Sequence, residues 1–268
     1  MVVYTGQGDV RRSMALLWRT SGGPSVRTAP GPKPELSVDL VVETAVAVAD
    51  EEGMDALSMR TVGQRLGRTA MSLYTYVASK NELIELMYDH VFGELADAAE
   101  ADGEQDWRTA TTSWATRLWE FYLRHPWTLE VSQARPVLGP NEYRLFESLA
   151  SVLHRAGLGP TQVRSTYGNL FTLVGGPVRT AAEARRALAV TGVPEDEWWY
   201  ARSAQLEEVA PDFSERFPVL TLMAEQGAFD NEDASEPYLE QEAWETFRFG
   251  LNALLDGVEA RIRPDARR

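Results

Sequence analysis

The chain contains no cysteine. That excludes disulfides, thiolate zinc sites and a cysteine nucleophile, and it fits a reducing compartment. Lysine is scarce as well: Lys33 and Lys80 stand alone, and arginine supplies the remaining basic charge. Long apolar runs are missing, since stretches such as LVVETAVAVA are too short and too interrupted to span a membrane. There is no basic segment followed by an apolar stretch and a small-residue cleavage site, so the expected location is the cytoplasm. H-E-x-x-H, G-x-S-x-G and Gly-rich phosphate loops are all absent. No enzyme activity, catalytic residue, metal or cofactor is therefore expected.

What is present is an ordinary globular composition, 44% hydrophobic and 25% charged over 268 residues. A net charge of −14 argues against nucleic acid, whose binding rests on phosphate neutralisation. The distribution of charge along the chain removes that objection. Residues 1–80 carry 9 basic and 8 acidic side chains, against 17 and 32 in residues 81–268. The acidity is confined to the C-terminal part, which suggests two domains with different partners.

Helical periodicity runs through most of the chain and no segment alternates as a strand does. Asp9 is placed to cap a short helix reaching about Trp18, docked as an appendage. Residues 21–34, SGGPSVRTAPGPKP, read as a flexible arm carrying Arg27 and Lys33. Ser37 starts a helix with Val38, Val41, Val42, Ala45, Val46 and Ala49 on one face, stopped by Gly53. A second short helix follows from Ser58 to Gly67, and a third covers Ala70 to Val77. Ser79-Lys80-Asn81-Glu82 forms a capping box opening a fourth, with Leu83, Met87, Val91 and Leu95 in one row. Beyond Gly103, helices are predicted over 107–124, 141–156, 160–190, 195–210, 214–226 and 238–263. Phe229–Pro237 reads as an acidic loop. The expected architecture is all-α: an extension over 1–34, a helix-turn-helix domain over 35–80 and a larger helical domain over 81–268.

The run LGRTAMSLYTYVASKNEL, Leu66 to Leu83, has the make-up of a DNA-reading helix and its support. Such a helix inserts its N-terminal residues into the major groove, so they must be short and able to hydrogen-bond. Thr69, Ser72, Thr75 and Tyr76 meet that need, and Ala70 and Met71 could touch thymine methyls. Arg60, Thr61, Tyr74 and Lys80 are the candidates for holding phosphates. Ser58, which caps the supporting helix, is counted with the DNA-binding residues, and Arg27 and Lys33 in the arm could reach the minor groove. Taken singly, each of these could equally be a solvated or packing residue.

The longer stretch ALSMRTVGQRLGRTAMSLYTYVASKNELIELM resembles the N-terminal domain of the TetR family of transcriptional repressors. The match runs through Ser58, Arg60, Val62, Leu66, Gly67, Leu73, Tyr74, Tyr76, Val77, Lys80 and Leu83. Gly63 stands where alanine is usual, a departure expected to loosen the supporting helix. RHPW, ARPVLGPNEYRLFESLASVLHRAGL and FRFGLNALLDGVEARI resemble the C-terminal domain of the tetracycline-repressor branch, and RRSMALLW resembles an extension of some actinobacterial members. In that branch a histidine pair helps hold a metal-chelated drug. His90, His125 and His154 do not supply such a pair, so no metal is implied.

The resemblance implies a homodimer formed by the last helix and the long one before it. Phe247, Leu251, Leu254 and Val258, beside small Gly250 and Gly257, are the expected interface, although the same pattern suits an internal core helix. Seven of the eight tryptophans follow residue 100. Trp114, Leu118, Phe121, Phe146, Tyr167, Phe171, Trp198 and Trp199 could line an apolar chamber with His125 and Arg135 as its polar groups, or simply fill the core. The function expected is a ligand-responsive repressor that holds a palindromic double-stranded operator and is released by a small, mostly apolar effector. The alternative is a non-inducible DNA-binding regulator whose C-terminal domain only dimerises.

Overall fold

The computed structural model describes residues 3–19, 36–100, 106–230 and 237–262. Lys33, Arg27 and the rest of the arm lie outside them, as does most of the acidic loop. Among the described residues the architecture is helical, in the order α1 Val10–Leu17, α2 Val38–Glu52, α3 Met59–Arg65, α4 Ala70–Leu73, α5 Lys80–Glu100 and α6 Trp107–Arg124. A 3₁₀ turn at Pro126–Glu130 leads to α7 Pro140–Arg155, α8 Pro160–Thr191, α9 Glu195–Val209, α10 Phe213–Arg216, α11 Pro218–Glu225 and α12 Tyr238–Ile262.

Local chemistry sets most of these bounds. Asp9, Ser37, Ser58 and Thr69 each turn a side-chain oxygen onto a backbone amide of the first helical turn. Gly53 ends α2 at φ 82, ψ 172, a conformation open only to glycine. Two expected helices are shorter or divided. The segment 70–77 is helical only over Ala70–Leu73, after which Tyr74–Val77 closes in turns, its run of aromatic and β-branched residues being poor helix formers. The segment 214–226 breaks at Pro218, which has no amide to donate.

The chain divides into two compact units, Met1–Gly175 with Leu254–Arg268, and Gly176–Ala253. The boundary expected at residue 80 falls inside the first unit, where α5 runs from the helix-turn-helix into the unit's body with Leu83, Ile84, Met87, Val91 and Phe92 all at most 1% exposed. The first unit holds the large core, in which Trp127, Tyr122, Phe121 and Leu118 are fully buried. Its tightest joint is α5 on α7. Asp89 of α5 accepts the amides of Asn141 and Glu142 at 3.0 Å each, capping a helix whose own N-cap is Gly139. A Cβ on Gly139 would stand 2.1 Å from the Asp89 carboxylate, so the joint closes only around glycine.

In the second unit α9, α10 and α11 bury no residue. Glu195 there accepts the amides of Tyr238 and Leu239, and Arg185 pairs with Glu240.

Candidate functional site

The helix-turn-helix is built by α3, a tight turn and α4. Gly67 forms the turn at φ 65, and the Arg68 amide donates to the Gly63 carbonyl at 2.8 Å. Gly63 does not loosen α3. A Cβ there would meet the Arg68 carbonyl oxygen at 2.9 Å and the Ala70 nitrogen at 3.3 Å, so its hydrogen lets the turn close on α3. Val62, Leu73 and Val77 are fully buried beneath the unit. Its outer face presents Met71, 76% exposed, and Tyr74, with Thr69 and Thr75 exposed and Ala70, Ser72 and Tyr76 half-buried.

Several candidate hydroxyls have local work. Ser58 Oγ caps α3 through the Thr61 amide, and the Thr61 hydroxyl donates to the Ala56 carbonyl at 2.9 Å. Ser72 Oγ donates to the Thr69 carbonyl at 2.7 Å. Arg60 is exposed, whereas Arg65 is held by Glu51 and Glu52 at 2.6 and 2.5 Å. The exposed Lys80 ammonium donates to the Met54 carbonyl at 3.4 Å, at the start of α5. Beside it the capping box forms with a shift: Ser79 Oγ accepts the Glu82 amide, but the Glu82 carboxylate takes the amide of Ala78.

In the same compact unit lies a cavity of about 210 Å³. Tyr88 and Phe92 of α5, Glu142 of α7 and Tyr167, Gly168 and Phe171 of α8 form part of its wall. The segment 131–137 supplies the rest, including Arg135. Of the ten expected effector residues, Arg135, Tyr167 and Phe171 line it. Trp114 supports them from behind, its ring 5.8 Å from Tyr167 and 5.5 Å from Phe171, and Phe121 stands 5.0 Å from Phe92. Phe146 meets Tyr167 edge-on at 4.4 Å but opens to a shallower groove with Trp18 and Tyr143. Leu118 is core.

His125 is not on the cavity wall. It is 4% exposed, with Nδ1 2.8 Å from Asp50 of α2 and Nε2 3.5 Å from Glu94 of α5, while Trp127 donates to the same Asp50. Its role there is to join α2 to the end of α6. Trp198 and Trp199 belong to the second unit, 44% and 39% exposed and packed edge-on at 4.9 Å. Sequence reading missed Tyr88, Phe92 and Glu142. The signal was the Tyr88–Phe92 i, i+4 aromatic pair, set one position off the aliphatic row of α5. Burial pushes the Glu142 carboxyl upward, and nearby Asp89 adds to the shift against the Leu138 amide it accepts.

The expected interface on α12 also needs revision. Phe247, Leu251 and Val258 are 0%, 4% and 4% exposed in the single chain and have no surface left to give a partner. Gly250, Leu254 and Gly257 are half-exposed, and neighbouring Phe249 is 79% exposed.

Comparison with known proteins fits both halves. The family described as bacterial regulatory proteins, tetR family, matches residues 41–87, and the tetracyclin repressor-like C-terminal domain matches residues 99–262. The chain belongs to the TetR family of transcriptional regulators. A TetR relative, the HTH-type transcriptional repressor DrrR1 of Streptomyces coeruleorubidus, is 37% identical over 258 residues, 96% of this chain and 88% of that one. An HTH-type transcriptional regulator of Saccharopolyspora erythraea is 34% identical over 54% of this chain and 61% of its own. Apo ActR of Streptomyces coelicolor superposes with a TM-score of 0.63 at 25% identity, covering 87% of this chain and 100% of that one. ActR in complex with actinorhodin shares the fold, with a TM-score of 0.64 at 24% identity over 85% and 97%. Members of the family are regulators rather than enzymes. Among the described residues, no helix is long and apolar enough to cross a membrane.

Proposed function

We propose that this TetR-family protein is a ligand-responsive repressor, which binds a palindromic operator as a homodimer and releases it when a small, mostly apolar effector fills the cavity. One observation carries the reading: α5 begins at the DNA-reading unit with Lys80 and, two to three turns later, lines the cavity with Tyr88 and Phe92. A ligand that shifts those two rings moves the helix on which the reading unit is mounted. The repressor name of DrrR1 supports the sign of regulation. The cavity favours an inducible protein over one whose C-terminal domain only dimerises. Aromatic walls with a few polar groups suit a mainly apolar ligand.

Thr69, Ala70, Met71, Ser72, Thr75 and Tyr76 read bases in this proposal, Arg60, Tyr74 and Lys80 hold the backbone, and the arm residue Lys33 reaches into the minor groove. Ser58 and Thr61 contribute by fixing α3. The second unit, with α9 to α11 unburied, supplies apolar surface for a second copy, and two reading heads on a two-fold axis match a palindrome. Because coupling is reciprocal, operator must weaken effector binding by the factor that effector weakens operator. Selection of bound sequences from a random duplex pool, followed by gel shift and footprinting, tests this. Enrichment of a palindrome with half-sites about one helical turn apart, or a multiple, is expected. Uniform binding without enrichment at moderate salt would end it.

A further inference from the structure

The segment before α2 lies outside the family match, which begins at residue 41. Yet the 258-residue alignment with DrrR1 takes in all but about ten of the 268 residues, so much of this segment is shared with that relative. Residues 3–7 carry no periodicity, but they are not loose. The Val3 amide donates to the Glu130 carbonyl at 2.9 Å, and the Ser132 amide donates to the Val3 carbonyl at 2.8 Å, an isolated parallel bridge. Thr5, 2% exposed, donates its hydroxyl to the Arg135 carbonyl at 2.5 Å. At the other end, Trp18 Nε1 donates to the Leu138 carbonyl at 3.0 Å. Residues 3–18 thus hold the 130–138 segment at both ends, and Val131, Ser132, Gln133, Arg135, Pro136 and Val137 of that segment line the cavity.

The middle of the same stretch grips the DNA-reading side. The Gly6 amide donates to Glu85 at 2.6 Å, and Arg12 faces the buried Glu82 at 3.5 Å. Glu82 is the residue that closes the turn after α4 through the Ala78 amide. Arg19 pairs with Asp39 of α2 at 2.6 Å.

We infer that residues 3–19 act as a strap tying the cavity wall to the start of α5, so that displacement of the wall by a ligand loosens the Glu82–Glu85 anchorage of the reading unit. The inference rests on the repressor reading above, of which it names a transmitting part. Energetically it needs only that the wall and the α5 anchor share one docked element, so that undocking at either place weakens both.

The full-length chain is compared with Val3→Pro, which removes the amide donated to Glu130, with Trp18→Leu, which removes the tie to Leu138, and with Val10→Ala, which alters an exposed strap residue. Backbone hydrogen exchange is read at residues 131–138 and 79–86, without DNA or ligand. Val3→Pro and Trp18→Leu should speed exchange tenfold or more at 131–138 and several-fold at 79–86, leaving Val10→Ala like the parent. Their affinity for duplexes selected by the parent protein should fall at least threefold. Acceleration confined to 131–138, with 79–86 unchanged, would overturn the strap as a coupling element, and so would no acceleration at all. If the parent itself selects no sequence, the repressor reading fails, while the exchange comparison still decides whether wall and anchor are tied.

Discussion

Single residues divide sharply by whether their chemistry is spent inside the fold. Arg60 and Arg65 lie on one helix, but Arg65 is neutralised by Glu51 and Glu52 while Arg60 faces solvent. Arg60→Ala should therefore weaken all duplexes alike. It should also reduce the slope of log affinity against log salt by about 0.9 per reading head. An unchanged slope in a salt titration removes Arg60 from the phosphate contacts. Gly63→Ala tests the tight turn. The helix propensity gain of about 1 kcal/mol is opposed by a backbone contact that must widen, moving α4 away from α3. Operator affinity should fall several-fold in a binding titration, even where a thermal melt shows little change. The sequence made this glycine visible only as a missing methyl group. Its meaning required the turn to be in place.

At the level of elements, amphipathic rows were the readable part. Leu83, Met87, Val91 and Leu95 announced α5, and Ser37 and Ser58 announced their helix starts, because these signals are local. The short α4 was less legible, since Tyr74–Val77 continues the apolar spacing while turning out of the helix. The docking of Val3 beside Val131 and the pairing of His125 with Asp50 could not be read at all. They join positions 128 and 75 residues apart through two or three hydrogen bonds, with no periodic trace. The α5–α7 joint gives a direct prediction. Asp89→Ala removes the cap from α7 and should cost about 1–2 kcal/mol in a denaturant melt. Gly139→Ala should lower stability too, because its Cβ would overlap the same carboxylate.

The pH response of this joint follows from burial. The folded-state pKa of Glu142 is raised, chiefly by burial, so the folded chain binds a proton more readily than the unfolded one. Stability from this group is then lost as pH rises through the folded value and regained on acidification towards the ordinary glutamate range. Glu142→Gln should be more stable than the parent at neutral pH and lose that advantage on acidification towards the ordinary glutamate range. Equal pH profiles in paired thermal melts would contradict the assignment.

Across the whole molecule, charge and apolar surface are unevenly shared. The first unit contains its own core, whereas the second leaves Trp198, Phe217, Leu220, Leu222 and Phe229 at 39–50% exposure. Surfaces of this kind mark association sites in soluble proteins. Light scattering should give twice the chain mass of 29.9 kDa, and Leu220→Glu with Leu222→Glu should shift that mass towards the single chain at micromolar concentration. A dimer indifferent to those charges would move the interface to the Gly250, Leu254 and Gly257 face of α12. Composition had shown the acidity of this half of the chain, but which α12 residues are spoken for internally depended on tertiary burial.

The placement of Lys80 has a practical consequence. Its ammonium sits where the reading unit meets α5, and Lys33 is the one other lysine in the chain. An amine-reactive reagent therefore has no side-chain target anywhere beyond residue 80, and peptide mass spectrometry of the labelled protein needs to follow only two side chains. Protection of Lys80 from acylation when a duplex is added would report occupancy of the DNA-reading side alone, even for a ligand or an operator whose identity is still to be found.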